Sequence, residues 1–594
     1  MKNTYDVIIV GSGASGFAAA DYLYQYGVND VCIVTEGVNM GTSRNTGSDK
    51  QTYYKLDICS DAGDSVKKMA LDLFSGGSMN GTDALTEAAN SLRCFMRLVD
   101  LGVPFPTDKY GRFAGYRTDH DATSRATSAG PLTSKYMTEC LQAQVEKNGT
   151  PVLDGYQVIK LIIQGGECRG VVCLTEDGVI PLYAEAVLLC TGAPAGMYSR
   201  SVYPESQIGA TGLALEAGAR LANFQEWQYG LASVKFRWNL SGSYQQVVPR
   251  YVSVSPDGGE REFLTDGKNA DDIYSKVFLK GYQWPFDSRK TAGSSLIDLL
   301  VFAELKNGNR VFLDYTQNPA GFRFDALSDE AKEYLTSADA LGDTPFERLE
   351  KLNPKAVKLY LDNGIDLSRE KLEISLCAQH NNGGIKTDEN GETDIKNLFA
   401  LGEAAGKFGV YRPGGSALND TQVSALRAAE YLSRTLPQRT LPEQVCSKPR
   451  MPQTSDAPTL NDLEKKYRLK MSDCAGVFRE CSEIEAMLPE LCELYANFYD
   501  RVTVKGEEQT GDFFRFRHTL LSMIYMCRTV LASAKTVGSR GGAVCTLNGE
   551  RLSENEKYRS YITVTSADKT EFIPVLPVPD EQYVFEKLLK GEKA

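Results

Sequence analysis

"YDVIIVGSGASGFAAADYLYQYGVNDVCIVTEG", residues 5–37, decides the fold. It opens on a short β-branched run, the composition of a buried strand. Gly11, Gly13 and Gly16 then form GxGxxG. "FAAADYLYQYG" continues with small and apolar residues at helical spacing, and "DVCIVTE" reads as a second strand. Glu36 ends that strand, about 20 residues after the third glycine, the separation a dinucleotide-binding βαβ unit requires. Each part has a physical task. The first glycine permits a tight turn, the second lets backbone approach a pyrophosphate, and the third lets helix and strand pack closely. The helix N-terminus offers free N–H groups and a positive dipole end to phosphates. Glu36 suits the two ribose hydroxyls of an adenosine and repels a 2′-phosphate.

Working outward, the strand signals break and resume. After Glu36 comes a polar, Gly-rich loop, "MGTSRNTGSDKQTYYKL", and then helical patterns to about residue 102. "TSKYMTECLQAQVEKNG" (133–149) reads as an amphipathic helix. "QVIKLIIQ", "CRGVVCLTEDG" and "AEAVLLCTGAPAG" read as strands, the last ending at Thr191-Gly192. Residues 234–370 are rich in Trp, Tyr and Phe and carry no nucleotide signal. Strand and glycine signals return at 371 and close with a helix, "DTQVSALRAAEYLSRTL". The expected organisation is therefore α/β. A Rossmann-like nucleotide domain (1–233 and 371–435) is interrupted by an α+β cap (234–370). A Pro/Ser/Thr-rich linker (436–459) and a C-terminal helical domain with a short strand-like tail (460–594) follow.

Bulk properties bound the function. The chain has 594 residues, 42% hydrophobic and 24% charged, with 65 Lys+Arg against 77 Asp+Glu and a net charge of −12. That balance disfavours a chain built to wrap nucleic acid. Several of the fourteen cysteines lie in apolar runs, such as Cys32, Cys173 and Cys190, as buried reduced cysteines do. There is no CxxC or CxxCH, so neither a Cys-ligated cluster nor c-type haem is supported, and no metal site is expected. No apolar run is long enough to span a bilayer. The chain starts almost at once with a strand, and a cytoplasmic protein is the expectation.

Further blocks carry a resemblance. "LLCTGAPAGMY", "ATGLALEAGARLANFQEWQYG", "HNNGGIKTDENGETDIKNLFALGEAAG…YRPGGSAL" and "SRGGA" lie downstream of the fingerprint. Together with it they resemble the fumarate reductase/succinate dehydrogenase flavoprotein superfamily over nearly the whole length. That superfamily also holds L-aspartate oxidase and soluble enoate-type reductases.

The resemblance implies FAD as cofactor. Gly11, Gly13, Gly16 and Glu36 would hold its ADP half, and Thr191 and Gly192 end the adjoining strand. Glu403 would meet the ribityl chain, and Ser416, Ala417 and Leu418 would present backbone to the pyrimidine end of the flavin. His380 and Arg412 would grip a substrate carboxylate. The implied activity is reduction or desaturation of a C=C bond in a small carboxylic acid or related carbonyl compound. The alternatives are an amino acid oxidase like L-aspartate oxidase, or an electron-transfer flavoprotein subunit without catalysis of its own. An electron-donor protein is a possible partner, since the chain has no second nucleotide fingerprint.

Three departures stand out. Members with covalent FAD carry a histidine in the loop after the ribose acid, where this chain has "TSRNTG", so FAD is expected to be non-covalent. The family's second substrate histidine corresponds to Gly230, which puts short dicarboxylates in doubt. The family's proton-delivering arginine falls on Leu299 if helix ends are aligned and on Arg289 if "SRKTAGSS" is aligned, and Arg289 is the preferred candidate.

Of the remaining histidines, His120 in a polar loop reads equally as a surface or a site residue. His518 in "DFFRFRHTLLSM" reads as structural. Glu226 and Trp227 could replace the missing histidine but read better as packing residues.

Overall fold

The computed structural model describes residues 2–58, 63–118, 120–121, 123–436, 448–579, 587 and 589–591. Its first sheet grows from the fingerprint. The strand Thr4–Val10 lies parallel between Val31–Thr35 and Gly178–Leu189, and Val152–Asp154 and Leu398–Ala400 extend the parallel set. The four innermost fingerprint residues, Val7–Val10, are buried, as a strand covered on both faces requires. Helices Ala14–Gln25 and Ser416–Thr435 pack against each other over one face of this sheet. An antiparallel excursion, Gln157–Gln164 and Glu167–Thr175, leads into the long strand Gly178–Leu189.

The second sheet is antiparallel and six-stranded. Its order is Trp238–Asn239, Trp227–Ser233, Leu372–Asn381, Arg310–Asp314, Arg250–Val254, Glu260–Glu262. This corrects the expected domain boundaries. The cuts at 233/234 and 370/371 divide a single hydrogen-bonded sheet. Two of its strands come from the flanking segments and the rest from the cap, so the cap is joined to the nucleotide domain by ladder hydrogen bonds.

The expected linker also differs. Residues 437–447 lie outside the described residues, but Gln453–Thr454 pairs in parallel with Thr503–Val504. The C-terminal part is built on the long helix Thr510–Val537 and adds a small sheet, Phe478–Glu480 with Val544–Leu547 and Glu550–Arg551. Its tail is a hairpin, Tyr561–Thr565 with Thr570–Pro574, and it pairs with Leu221–Ala222 of the nucleotide side. Arg540 of the "SRGGA" turn and Glu226 form a buried ion pair of 2.9 Å across this junction. Trp227 packs edge-on against Tyr198. No helix among the described residues is long and apolar enough to cross a membrane, and the described cysteines are all unpaired.

Candidate active site

A cavity of about 860 Å³ runs between the two sheets, the cap and the C-terminal helix. Gly11, Gly13 and Glu36 line one end, Thr191, Gly192 and Glu403 line it too, and His380 and Arg412 line the other end. The sequence separates these residues by up to about 400 positions; the fold puts them on one surface.

The nucleotide end is made of backbone. Gly11 adopts φ +108°, and a Cβ there would lie 2.4 Å from the Cys190 carbonyl oxygen. A Cβ on Gly16 would lie 2.0 Å from the Gly11 carbonyl oxygen, so Gly16 serves helix–strand packing and does not itself line the cavity. The helix Ala14–Gln25 starts after Gly13 with no side-chain cap, and Ser416–Thr435 starts after Gly415 (φ +91°) likewise uncapped. Ala14 spends its N–H on Ser43 Oγ (3.2 Å) and Ser416 on the Pro413 carbonyl (3.2 Å), which leaves the next N–H of each first turn for a ligand. The Thr191 hydroxyl is buried with no partner beside the same space. Ala417 and Leu418 line the cavity, whereas Ser416 is buried behind it, donating to the Pro413 carbonyl at 2.9 Å. These features fit a dinucleotide.

Glu36 brings something the sequence did not signal. Arg515, from the C-terminal helix, donates to its Oε2 through Nε (3.0 Å) and Nη2 (2.7 Å). Arg515 and His518 both line the cavity, so the C-terminal part closes the adenosine end. His518, read as structural, faces Glu216 at 3.4 Å.

The other end is made of side chains. Arg412 donates through Nη2 to Gln228 Oε1 (2.7 Å) and through Nε to Asn382 Oδ1 (3.1 Å). Burial lowers its guanidinium to about 10. Asn382 donates its Nδ2 to the Val410 carbonyl at 2.9 Å, which turns Oδ1 toward Arg412 and toward His380 Nδ1, 3.1 Å away. An amide oxygen only accepts, so His380 carries its proton on Nδ1 and presents Nε2 as an acceptor. Burial and then the Arg412 charge push this imidazole well below its usual range. The neutral ring therefore forms no ion pair with Glu403, 3.7 Å from Nε2. Glu403 accepts from Tyr203 and from the Asn381 N–H, and burial raises its carboxyl to about 7.

A β-bulge sets the wall beside His380. Gln228 pairs with His380 but Tyr229 pairs with Ala378, so Gln379 is the extra residue. In a regular strand Gln379 and His380 would face opposite sides. The bulge turns both to the cavity. Gly230 makes this possible: a Cβ there would lie 2.4 Å from the Gln379 amide nitrogen. The space beside Gly230 is thus taken by a neutral amide, and both polar atoms of that amide are buried without a partner.

The structure places Arg289 beside Asp287 and Tyr411. It is absent from the cavity wall among the described residues. Asp287 holds it at 2.8 Å, and its guanidinium stacks 3.5 Å from the Tyr411 ring centroid. Its pKa is raised: burial works against the charge, but its hydrogen bonds to Asp287 and the nearby negative charge outweigh it. An arginine that releases a proton needs the opposite shift. Leu299, the other alignment, sits on helix Ser295–Lys306 and packs against the main hydrophobic core. His120 does line the cavity, with its ring 5.6 Å from Tyr411.

The likenesses to known proteins agree with this geometry. The family described as FAD binding domain matches residues 6–418. The chain is 23% identical over 526 residues to L-aspartate oxidase of Vibrio cholerae serotype O1, covering 83% of this chain and 88% of that protein. It is 23% identical over 552 residues to the succinate dehydrogenase flavoprotein of Rickettsia bellii, covering 84% of this chain and 83% of that protein. Mycobacterium smegmatis Sdh1, solved in complex with UQ1, superposes with a TM-score of 0.73 at 18% identity, covering 100% of this chain and 98% of that one. The glycine cradle, the joined cap and these likenesses lead to one conclusion: the chain belongs to the FAD binding domain family, within the fumarate reductase/succinate dehydrogenase flavoprotein superfamily of FAD-dependent oxidoreductases.

Proposed function

We propose that the chain reduces, or in the reverse direction desaturates, the C=C bond of a small carboxylic acid or related carbonyl compound. FAD, when bound, supplies the hydride chemistry at its flavin N5. The observation that carries this reading is the Arg412–Asn382–His380 cluster, which opens onto the same cavity as the glycine cradle.

Arg412 is the carboxylate anchor. Its fork can grip two oxygens at once, and Gln228 and Asn382 already hold it in place. Charge that develops on the substrate carbonyl then meets a donor that needs no reorganisation. His380 lines the same cavity as Arg412. Its bare Nε2 accepts a proton or a hydrogen bond, so an anion seated beside it draws in a proton. The proton that completes the reduction comes from a group other than Arg289. The loop 40–47 holds no histidine, which supports non-covalent FAD. The unpaired, mostly buried cysteines support a reducing compartment such as the cytoplasm. Electrons reach the flavin from a partner protein or a second substrate.

The test is a screen of unsaturated acids against the anaerobically reduced holoprotein, read by flavin absorbance. Reoxidation by at least one acid is expected, and its loss in Arg412→Ala. If none reoxidises it, the reading fails. The likeness to L-aspartate oxidases supports a second reading, oxidation of an amino acid. Release of an imine with rapid reoxidation by oxygen would select that one.

A further inference from the structure

The segment Gly281–Arg289, "GYQWPFDSR", crosses the substrate end of the cavity as a strap. At its start the Gly281 carbonyl accepts from the Gly242 N–H (2.6 Å). Further on, the Phe286 N–H donates to the Tyr229 carbonyl (2.7 Å) and the Ser288 N–H to the Gly541 carbonyl (2.9 Å). The strap is thus tied to the cap, to the sheet and to the C-terminal turn. Tyr282, Trp284 and Pro285 line the cavity from it, and Tyr334 joins them from the cap. Tyr229 follows Gln228, the partner of Arg412, and Pro285 precedes Phe286. Consecutive Cα atoms are about 3.8 Å apart, so the aromatic strap stands within a few residues' width of the carboxylate anchor.

Two polar groups in this region have no partner although they are buried: the Trp284 indole N–H and both atoms of the Gln379 amide. Unmade hydrogen bonds of this kind cost free energy unless a ligand completes them. The cations other than Arg412 are exposed or already engaged. Lys50 and Arg117 line the cavity from exposed loop positions, and Arg515 is held by Glu36 at the far end. Resting on the carboxylate reading above, we propose that the substrate is a monocarboxylate whose distal part is flat, uncharged and able to hydrogen-bond, such as a phenolic or other aryl group conjugated to the C=C bond. The carboxylate meets Arg412, the ring lies against Trp284 and Pro285, and a hydroxyl or carbonyl on it meets Gln379. A short dicarboxylate leaves this wall unused, and the cations left for its second charge, Lys50 and Arg117, stand at exposed positions.

Three probes separate the possibilities: fumarate, cinnamate and 4-hydroxycinnamate, each titrated into the oxidised FAD-loaded protein. Binding is read from the flavin visible spectrum and from quenching of tryptophan fluorescence, not from turnover. Cinnamate is expected to bind at least tenfold tighter than fumarate, and 4-hydroxycinnamate tighter again. Trp284→Ala should lower the cinnamate-to-fumarate affinity ratio about tenfold, in line with the worth of an aromatic contact plus its buried area. Gln379→Leu should remove the added affinity of the hydroxyl while keeping that of the ring. Fumarate binding as tightly as cinnamate, or a ratio unmoved in Trp284→Ala, would overturn the proposal. If fumarate also reoxidises the reduced protein, the C=C reductase reading survives that result; if no acid binds or reacts, both fall.

Discussion

The two ends of the cavity are built by different means. The nucleotide end rests on backbone: glycines at close approaches and two uncapped helix starts, most of it encoded within residues 5–37. The other end rests on side chains drawn from four separate stretches, around Gln228, Trp284, His380 and Arg412. A backbone site tolerates few substitutions and changes little. A side-chain site can be rebuilt one residue at a time.

Substitutions can break this contrast. The largest effect is expected at Gly16→Ala. The new methyl meets a carbonyl oxygen at 2.0 Å, and no flexible side chain can yield. The variant should purify without FAD and lose about 1–3 kcal/mol of stability, read by flavin absorbance and thermal melting. Arg412→Ala should do the reverse, keeping FAD while kcat/KM falls about 10²–10³-fold, the range for removing one prepositioned donor.

Between the ends sits Glu403. Its carboxyl is raised to about 7 in the fold by burial, against about 4.3 unfolded. Below the unfolded value both states are protonated and the stability this one group contributes is fully present. As pH rises, the unfolded state ionises first, and stability is lost until the folded carboxyl ionises near 7. The FAD-free protein should therefore lose up to about 4 kcal/mol across that window, and Glu403→Gln should flatten the profile in denaturant melts. Arg515→Ala tests whether the C-terminal helix belongs to the nucleotide end. This ion pair is partly exposed, with about 0.2–1 kcal/mol at stake, so FAD should bind a few-fold more weakly in fluorescence titrations. Arg289→Ala, off the cavity wall, should leave kcat/KM within about threefold. A collapse of turnover there would restore it as the proton donor.

The same contrast explains what could be read from the sequence. The fingerprint was legible because its steric demands are local: strand, glycines, helix and acid follow one another. The "HNNGGI" and "YRPGGSAL" blocks were legible through resemblance, and the structure brings His380 and Arg412 to one cavity. The tautomer of His380 was not legible, since it depends on Asn382 being turned by a carbonyl 28 positions away. The surroundings of Arg289 were not legible, because alignment of a helix start says nothing of which neighbour captures the side chain, and Asp287 captures it. Arg515 was invisible because its partner lies 479 positions earlier. The domain cuts failed for a related reason. Composition changes at residue 234, but the hydrogen bonds of a sheet do not follow composition.

The bulge at Gln379 has a consequence for how such enzymes diverge. One extra residue shifts the phase of a strand and exchanges which side chains the pocket sees. Two relatives could share every residue type along this strand and still present opposite walls to a ligand, if one lacks the bulge. Specificity here is partly a matter of insertion and deletion, and a comparison that scores only substitutions will overlook it.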